Sequence, residues 1–276
     1  MDRLATYVGV FLAFARNSLI RDMTFRTNFV IETFSSITWM VMNLGFYALV
    51  YNYTSNIEGW SKHQFFVFIA TTMFVNSLVQ TFFMPNMEEL SELVRTGGLD
   101  FALLKPIDAQ FLVSLQRVNW SSMGNFFVAL GLLAFALPRI EGLELSWTRC
   151  LLYAFFVLCG VLLLYSVMIA LAATSIWLGR NQSLYDFWFY ITNFSRYPRE
   201  IYGGSVAGDS LRLVFTFVVP VLVVINVPAG IMAKPLDADN SGRQLAGFAL
   251  VATLASLALG RWVFHRALRS YRSASS

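Results

Sequence analysis

The sequence predicts an all-α integral membrane protein with six transmembrane helices, and three observations predict it. Six apolar stretches, at 29–51, 65–84, 119–137, 150–178, 211–231 and 245–264, each approach or exceed the length that crosses a hydrocarbon core about 30 Å thick. The chain is 57% hydrophobic and only 13% charged, where soluble domains carry about 25% charged residues. With the N-terminus placed inside, 15 of the 20 Lys and Arg residues fall on inside segments and five, Lys62, Arg139, Arg149, Lys234 and Arg243, fall outside. That asymmetry across short loops orients the protein.

Residues 1–28 precede the first span. A charged start and the short apolar run 7–15 imitate a signal peptide. Cleavage there would leave Arg16, Arg21 and Arg26 outside, against the charge bias, so a helix along the inner surface is the better reading. Leu4, Val8, Phe11, Leu12, Ala15 and Leu19 face lipid while Asp2, Arg3, Arg16, Asn17 and Arg21 reach headgroups. Glu32 stands one turn inside the first span, and either pairs with Arg26 or Arg21 or faces a cavity between helices. Trp60 and Trp147 mark the outer membrane edge, and Trp120, Trp177, Trp188 and Trp262 the inner one. Trp39 is mid-span, where its indole N–H needs a partner such as Asn43.

The inside loop 85–118 carries the most distinctive text. Glu88, Glu89 and Glu92 with Leu90, Leu93 and Val94 predict a short amphipathic helix, ended by Gly97 and Gly98. Residues 99–104 form a second short piece, stopped by Pro106. Leu99, Phe101, Leu103 and Leu104 are too apolar to face water alone, which predicts a docking surface. The next inside segment, 179–209, holds an aromatic run over 184–194, too short to span and suited to an interface. Arg196 and Arg199 argue against joining it to a seventh span. Outside, residues 227–238, with Pro228, Ala229 and Gly230, predict an irregular, re-entrant element. The tail 265–276 is cytoplasmic, basic and then Ser-rich, and is expected to fray from Ala267 onward.

Much chemistry is absent. Cys150 and Cys159, nine residues apart, lie on roughly opposite helix faces and read as packed thiols. His63 and His265 fall on opposite sides of the membrane, so no metal site forms between them. No phosphate-cradling G-x-x-x-x-G-K-[ST] loop occurs, so the chain binds no ATP by itself and is not read as an enzyme. The net charge of +4 serves orientation and lipid headgroups, not nucleic acid. Glu32, Asn43, Asn76, Gln80 and Asn125 are candidates to line a path, or equally to act as interhelical glue.

At this point the chain resembles a known family. The run from Arg95 through Thr96, Gly97, Gly98, Leu99, Asp100, Phe101, Ala102, Leu103, Leu104 and Lys105 to Pro106 is similar to the loop of type-2 permeases of ATP-binding-cassette (ABC) exporters. It fits a bacterial subgroup with a Gly-x-Leu-Asp-x-x-Leu-x-Lys-Pro-like signature. Tyr197-Pro198 with the following basic and aromatic residues, Pro220, and Val227-Pro228-Ala229 extend the likeness over nearly the whole chain. The resemblance implies a single transmembrane domain in the bacterial inner membrane, both termini cytoplasmic. It implies a coupling helix over 88–104 seated on a separate ATPase that binds ATP and Mg. Its contacts would be Glu88, Glu89, Glu92, Leu93, Arg95, Gly97, Gly98, Leu99, Asp100, Leu103 and Leu104. A second permease, identical or paralogous, would complete the path. The competing reading is a membrane scaffold or assembly factor that recruits a cytoplasmic partner through 85–118 without transport.

Overall fold

The computed structural model describes residues 3–24, 26–179, 182–235 and 240–271. Helix α1 (Arg3–Thr24) lies against the chain itself. Ala15 and Ser18 are buried, and the Ala15 carbonyl accepts from the Trp120 indole at 3.0 Å. The Tyr7 ring meets Phe111 edge-on at 4.7 Å. Phe11 turns towards Phe82, not outward. Leu4, Val8, Leu12 and Leu19 remain as an exposed apolar stripe at spacings of four, four and seven residues.

Helix α2 (Arg26–Tyr53) is the first apolar helix. A hairpin follows, β1 (Asn56–Ile57) antiparallel to β2 (Trp60–Ser61). Glu58 and Gly59 turn it with positive φ, and Asn56 Oδ1 accepts from Gly59 N at 2.8 Å. Helix α3 (Lys62–Phe82) leads through Phe83 into α4 (Met84–Thr96). Gly97 ends α4 at φ +74°, a left-handed cap that favours glycine. Then come α5 (Gly98–Leu103), α6 (Ala109–Leu115) and α7 (Met123–Ala136), the last prolonged by a 3₁₀ turn, Leu137–Arg139. Helix α8 (Trp147–Ala173) is central, packing along α3 and two later helices, and runs on into α9 (Ser175–Leu178).

After α10 (Gln182–Phe194) and a 3₁₀ turn (Arg199–Tyr202) the chain forms α11 (Val206–Leu213), a π turn (Val214–Val218) and α12 (Val221–Ala233). Helix α13 (Asn240–Ser270) closes the fold. Among the described residues four helices are long and apolar enough to cross a membrane; the bent pair at 206–233 is a fifth crossing if it is one broken span and a re-entrant loop if it is not, and the third apolar helix, Met123–Arg139, is shorter. The chain is a multi-pass, all-α membrane protein. The tail is helical to Ser270, with Ala267 buried; residues 272–276 lie outside the described residues.

Three expectations change. The stretch 211–231 is not one straight helix: the chain bends by 85° at Val219 and Pro220. Proline lacks an N–H and restricts the residue before it, so the helix breaks there. Conversely Pro228, Ala229 and Gly230 sit inside the regular α12, which reaches Ala233, so the backbone over 227–233 is not irregular; residues 236–238 of the expected re-entrant element lie outside the described residues. Pro228 frees the Val224 carbonyl four residues back. Gly160 of α8 approaches that oxygen so closely that a Cβ would stand 2.8 Å from it. A small residue thus lets a neighbouring helix cover backbone that Pro disrupts.

The third change concerns 179–209, which does not stay at one end. The Trp60 indole donates to Glu200 at 3.3 Å, and Lys234 Nζ stands 4.1 Å over the Trp60 ring. Arg149 reaches the Lys234 carbonyl at 3.3 Å. Glu200 therefore shares the end of the bundle that holds the hairpin. The opposite end holds the 84–118 loop, where Arg261 pairs with Asp108 at 3.2 Å. Between these ends the Arg196 guanidinium is 5.8 Å from the ring of Trp39, the midpoint of α2. Residues 182–202 thus traverse the bundle, and α10 packs on α8 and α12. Arg199, and Arg212 against Gly203, move to the hairpin end. The charge map then reads twelve against seven, with Arg196 on neither side; the bias persists. Trp60, expected in headgroups, is 1% exposed.

Candidate functional site

The loop end is built on an inner and an outer layer. Met87, Leu90 and Leu99 are completely buried, and Ala102 nearly so. Glu89 pairs with Arg117, and Asn86 brackets the Arg117 backbone, accepting from its N–H at 2.8 Å and donating to its carbonyl at 2.7 Å. Asp108 caps α6 by accepting from Phe111 N at 2.9 Å. Burial alone would raise the Asp108 carboxyl. The Phe111 N–H, the Arg261 guanidinium and His265 outweigh it and hold the group below its ordinary value. Tyr7 receives the Asp108 N–H at 3.2 Å, so α1 is fastened to the same corner.

On this rigid floor the outer layer is apolar where water should be. Phe101 is 74% and Leu104 81% exposed, with Leu103 beside them. Arg95 forks onto Glu92 at 2.9 and 2.6 Å on the exposed side. The eleven loop residues singled out in the sequence therefore divide. Glu92, Arg95, Leu103 and Leu104 face outward. Glu88, Leu93, Gly97, Gly98 and Asp100 are half-buried; Glu89 is half-buried too and is spent on Arg117. Leu99 is a correction, because its side chain fills the chain's own core and offers no surface.

At mid-depth a cavity of about 520 Å³ opens between α2, α3, α7 and α10. It gathers Asn43, Asn76, Gln80 and Asn125, four of the five polar residues read as path candidates. The side chain of the fifth, Glu32, lies outside the described residues. Trp39, Tyr47, Trp188, Met40 and Met73 add aromatic and thioether wall, and Ser35, Thr72 and Ser77 add hydroxyls. Asn43 donates to the Trp39 carbonyl at 2.8 Å, not to its indole. Asn76 Oδ1 is a buried acceptor without a hydrogen-bond partner among the described residues. Arg196 also lines the cavity, and sequence reasoning missed it by assigning it to solvent.

A second cavity, of about 690 Å³, lies at the hairpin end, with Trp60, Arg199, Glu200, Asn226 and Lys234 among its walls. Gly230 lines it; Pro228 and Ala229 do not. The Arg199 N–H is held by Asn226 Oδ1 at 3.0 Å. One short strap, 195–202, thus offers Arg196 to the first cavity and Arg199 with Glu200 to the second.

The all-α membrane domain thus has a cavity lined by amides and aromatics between its helices and an exposed apolar rim at one end. A family model described as ABC-2 family transporter protein matches residues 37–275, and the chain belongs to that family. It is a permease component of an ABC-type transporter, a class that works with ABC ATPase subunits. No curated protein and no solved structure matches the chain.

Proposed function

We propose that the chain is the permease subunit of an ABC-type exporter in a bacterial inner membrane, with both termini cytoplasmic. It forms the translocation path with a second permease, identical or paralogous. Separate ATPase subunits bind ATP and Mg and supply the energy. The observation that carries this reading is the exposed rim of Phe101, Leu103 and Leu104 on a floor fixed by Met87, Leu90 and Leu99. A rim that is apolar and rigid transmits force, where a mobile loop would absorb it. Glu92 and Arg95 flank it and set register with the partner. Moving a permease from 1:99 to 99:1 between inward- and outward-open states takes about 5.5 kcal/mol of differential binding.

The test is recovery of tagged protein from detergent-solubilised native membranes, with mass spectrometry of what accompanies it. A stoichiometric cassette ATPase is expected, and Phe101→Asp with Leu104→Asp should remove it. Recovery without any ATPase, under extraction that keeps other transporters whole, would favour the scaffold reading. Within the intact complex, Asp100→Arg should uncouple ATP hydrolysis from transport while expression stays normal. Normal transport by that variant would take Asp100 out of the mechanism.

A further inference from the structure

The mid-depth cavity has a composition that selects its occupant. A charge near the centre of a bilayer costs about 2.5–3.5 kcal/mol on insertion scales, so it is retained where it has a task. Arg196 lies at that depth, opposite the midpoint of α2. Among the described residues no carboxylate comes within ion-pair distance of it. The cation is instead set against the Trp39 face, which attracts it without neutralising it. Among the described residues the cavity that holds it is lined by side-chain amides and no acid: Asn43, Asn76, Gln80 and Asn125. Asn76 Oδ1 is an acceptor still awaiting a donor. The remaining wall combines these aromatic and thioether groups with Ile69 and the hydroxyls of Ser35, Thr72 and Ser77.

We infer that this cavity binds an amphipathic organic anion, with its anionic group on Arg196, its apolar body along Trp39, Trp188 and Met73, and a hydroxyl or N–H donor on Asn76. The inference rests on the permease reading only in making this ligand the transported one; the binding preference stands without it. A cationic or uncharged amphiphile would leave Arg196 unpaired. A small hydrophilic anion would leave the aromatic wall dry and unfilled. A bilayer lipid with an anionic headgroup shares the chemistry, so the source of the anion has to be separated by experiment.

The experiment uses the full-length protein, with its ATPase if one accompanies it, in nanodiscs of zwitterionic lipid. Quenching of tryptophan fluorescence is followed as bromododecyl sulfate is added, and separately bromododecyltrimethylammonium. Trp39 and Trp188 line the cavity and report its occupancy. The sulfate should bind more tightly than the ammonium by about tenfold, the scale of one charge-assisted contact. Arg196→Gln should erase that preference and Arg196→Lys should keep most of it. Should Arg196→Gln fail to fold, Asn43→Asp puts a carboxylate one turn from Trp39 and should lower the preference in the same sense. Equal binding of the two probes by the native protein, or a preference that survives both Arg196→Gln and Asn43→Asp, overturns the inference. Adding phosphatidylglycerol to the discs then separates the sources. If it displaces the sulfate, the site takes a lipid anion; if the sulfate stays bound, the site takes a free one. An ATPase that co-purifies with a cavity lacking anion preference leaves the permease reading intact and removes only the substrate class.

Discussion

Residues 84–118 and 182–202 look alike as text. Both mix aromatic, basic and small residues, and both read as inside loops. The first stays at one end of the bundle, with its apolar rim outward and its salt bridge to Arg117 beneath. The second runs through the bundle and delivers Arg196 to a cavity and Glu200 to the far end. Charge counts locate a loop only when its cations are solvated. Arg196 is half-buried and lines a cavity, with its guanidinium 5.8 Å from the Trp39 ring. An arginine beside consecutive aromatics is therefore a weak topological marker.

The largest effect that could break this contrast is all-or-none. In a background with Cys150 and Cys159 changed to Ser, a membrane-impermeant maleimide should label Glu58→Cys and Val206→Cys from the same face. Lys105→Cys should label only from the opposite one. Val206 is 87% exposed at the start of α11, so access is not limiting. Labelling of Val206→Cys together with Lys105→Cys would return 182–202 to a loop and dissolve the mid-depth site.

A smaller effect sharpens the loop half. Leu99→Ala opens a void in a completely buried position and should cost about 2–5 kcal/mol. Leu104→Ala, five residues on and 81% exposed, should leave denaturation unchanged yet weaken ATPase association. Equal stability losses in the two variants would mean that the two-layered loop end is wrong.

What was legible in sequence follows from local physics. Hydropathy located the apolar helices because length and composition alone decide whether a helix suits a bilayer. Gly97 was legible as a helix stop because a left-handed cap favours glycine. The polar residues Asn43, Asn76, Gln80 and Asn125 stood out as costly in apolar helices, though their convergence on one cavity is a tertiary fact. The bend at Pro220 and the continuity through Pro228 were not legible. The same residue type breaks one helix and is tolerated in another, because Gly160 of α8 closes on the carbonyl that Pro228 frees. Leu99 and Leu104 are likewise one residue type with opposite fates, decided by which side of a six-residue helix meets α4 and α6.

Asp108 ties that loop to α1 and α13 and should show a pH signature. Its folded carboxyl lies below the ordinary value, so it contributes stability at neutral pH that is lost as pH falls through the folded value. Asp108→Ala should cost about 0.5–2 kcal/mol at neutral pH, the usual worth of a helix cap. The difference from native protein should shrink in acid. A difference that grows as the solution is acidified would contradict the ion pair with Arg261.

The smallest effect belongs to the most conspicuous pair. Glu92 and Arg95 meet with two short bonds on the outer face of α4, yet both side chains are more than half exposed. Exposed pairs of this kind contribute little, because solvent screens them and ordering two long side chains costs entropy. Glu92→Ala and Arg95→Ala should therefore each leave thermal stability almost unchanged. Because these charges border the apolar rim, they should instead slow ATPase association, with a loss that disappears at high salt. A large stability loss would move the pair into the floor of the loop and out of the docking surface. Unchanged association at low salt would leave Phe101, Leu103 and Leu104 to specify the partner by shape alone.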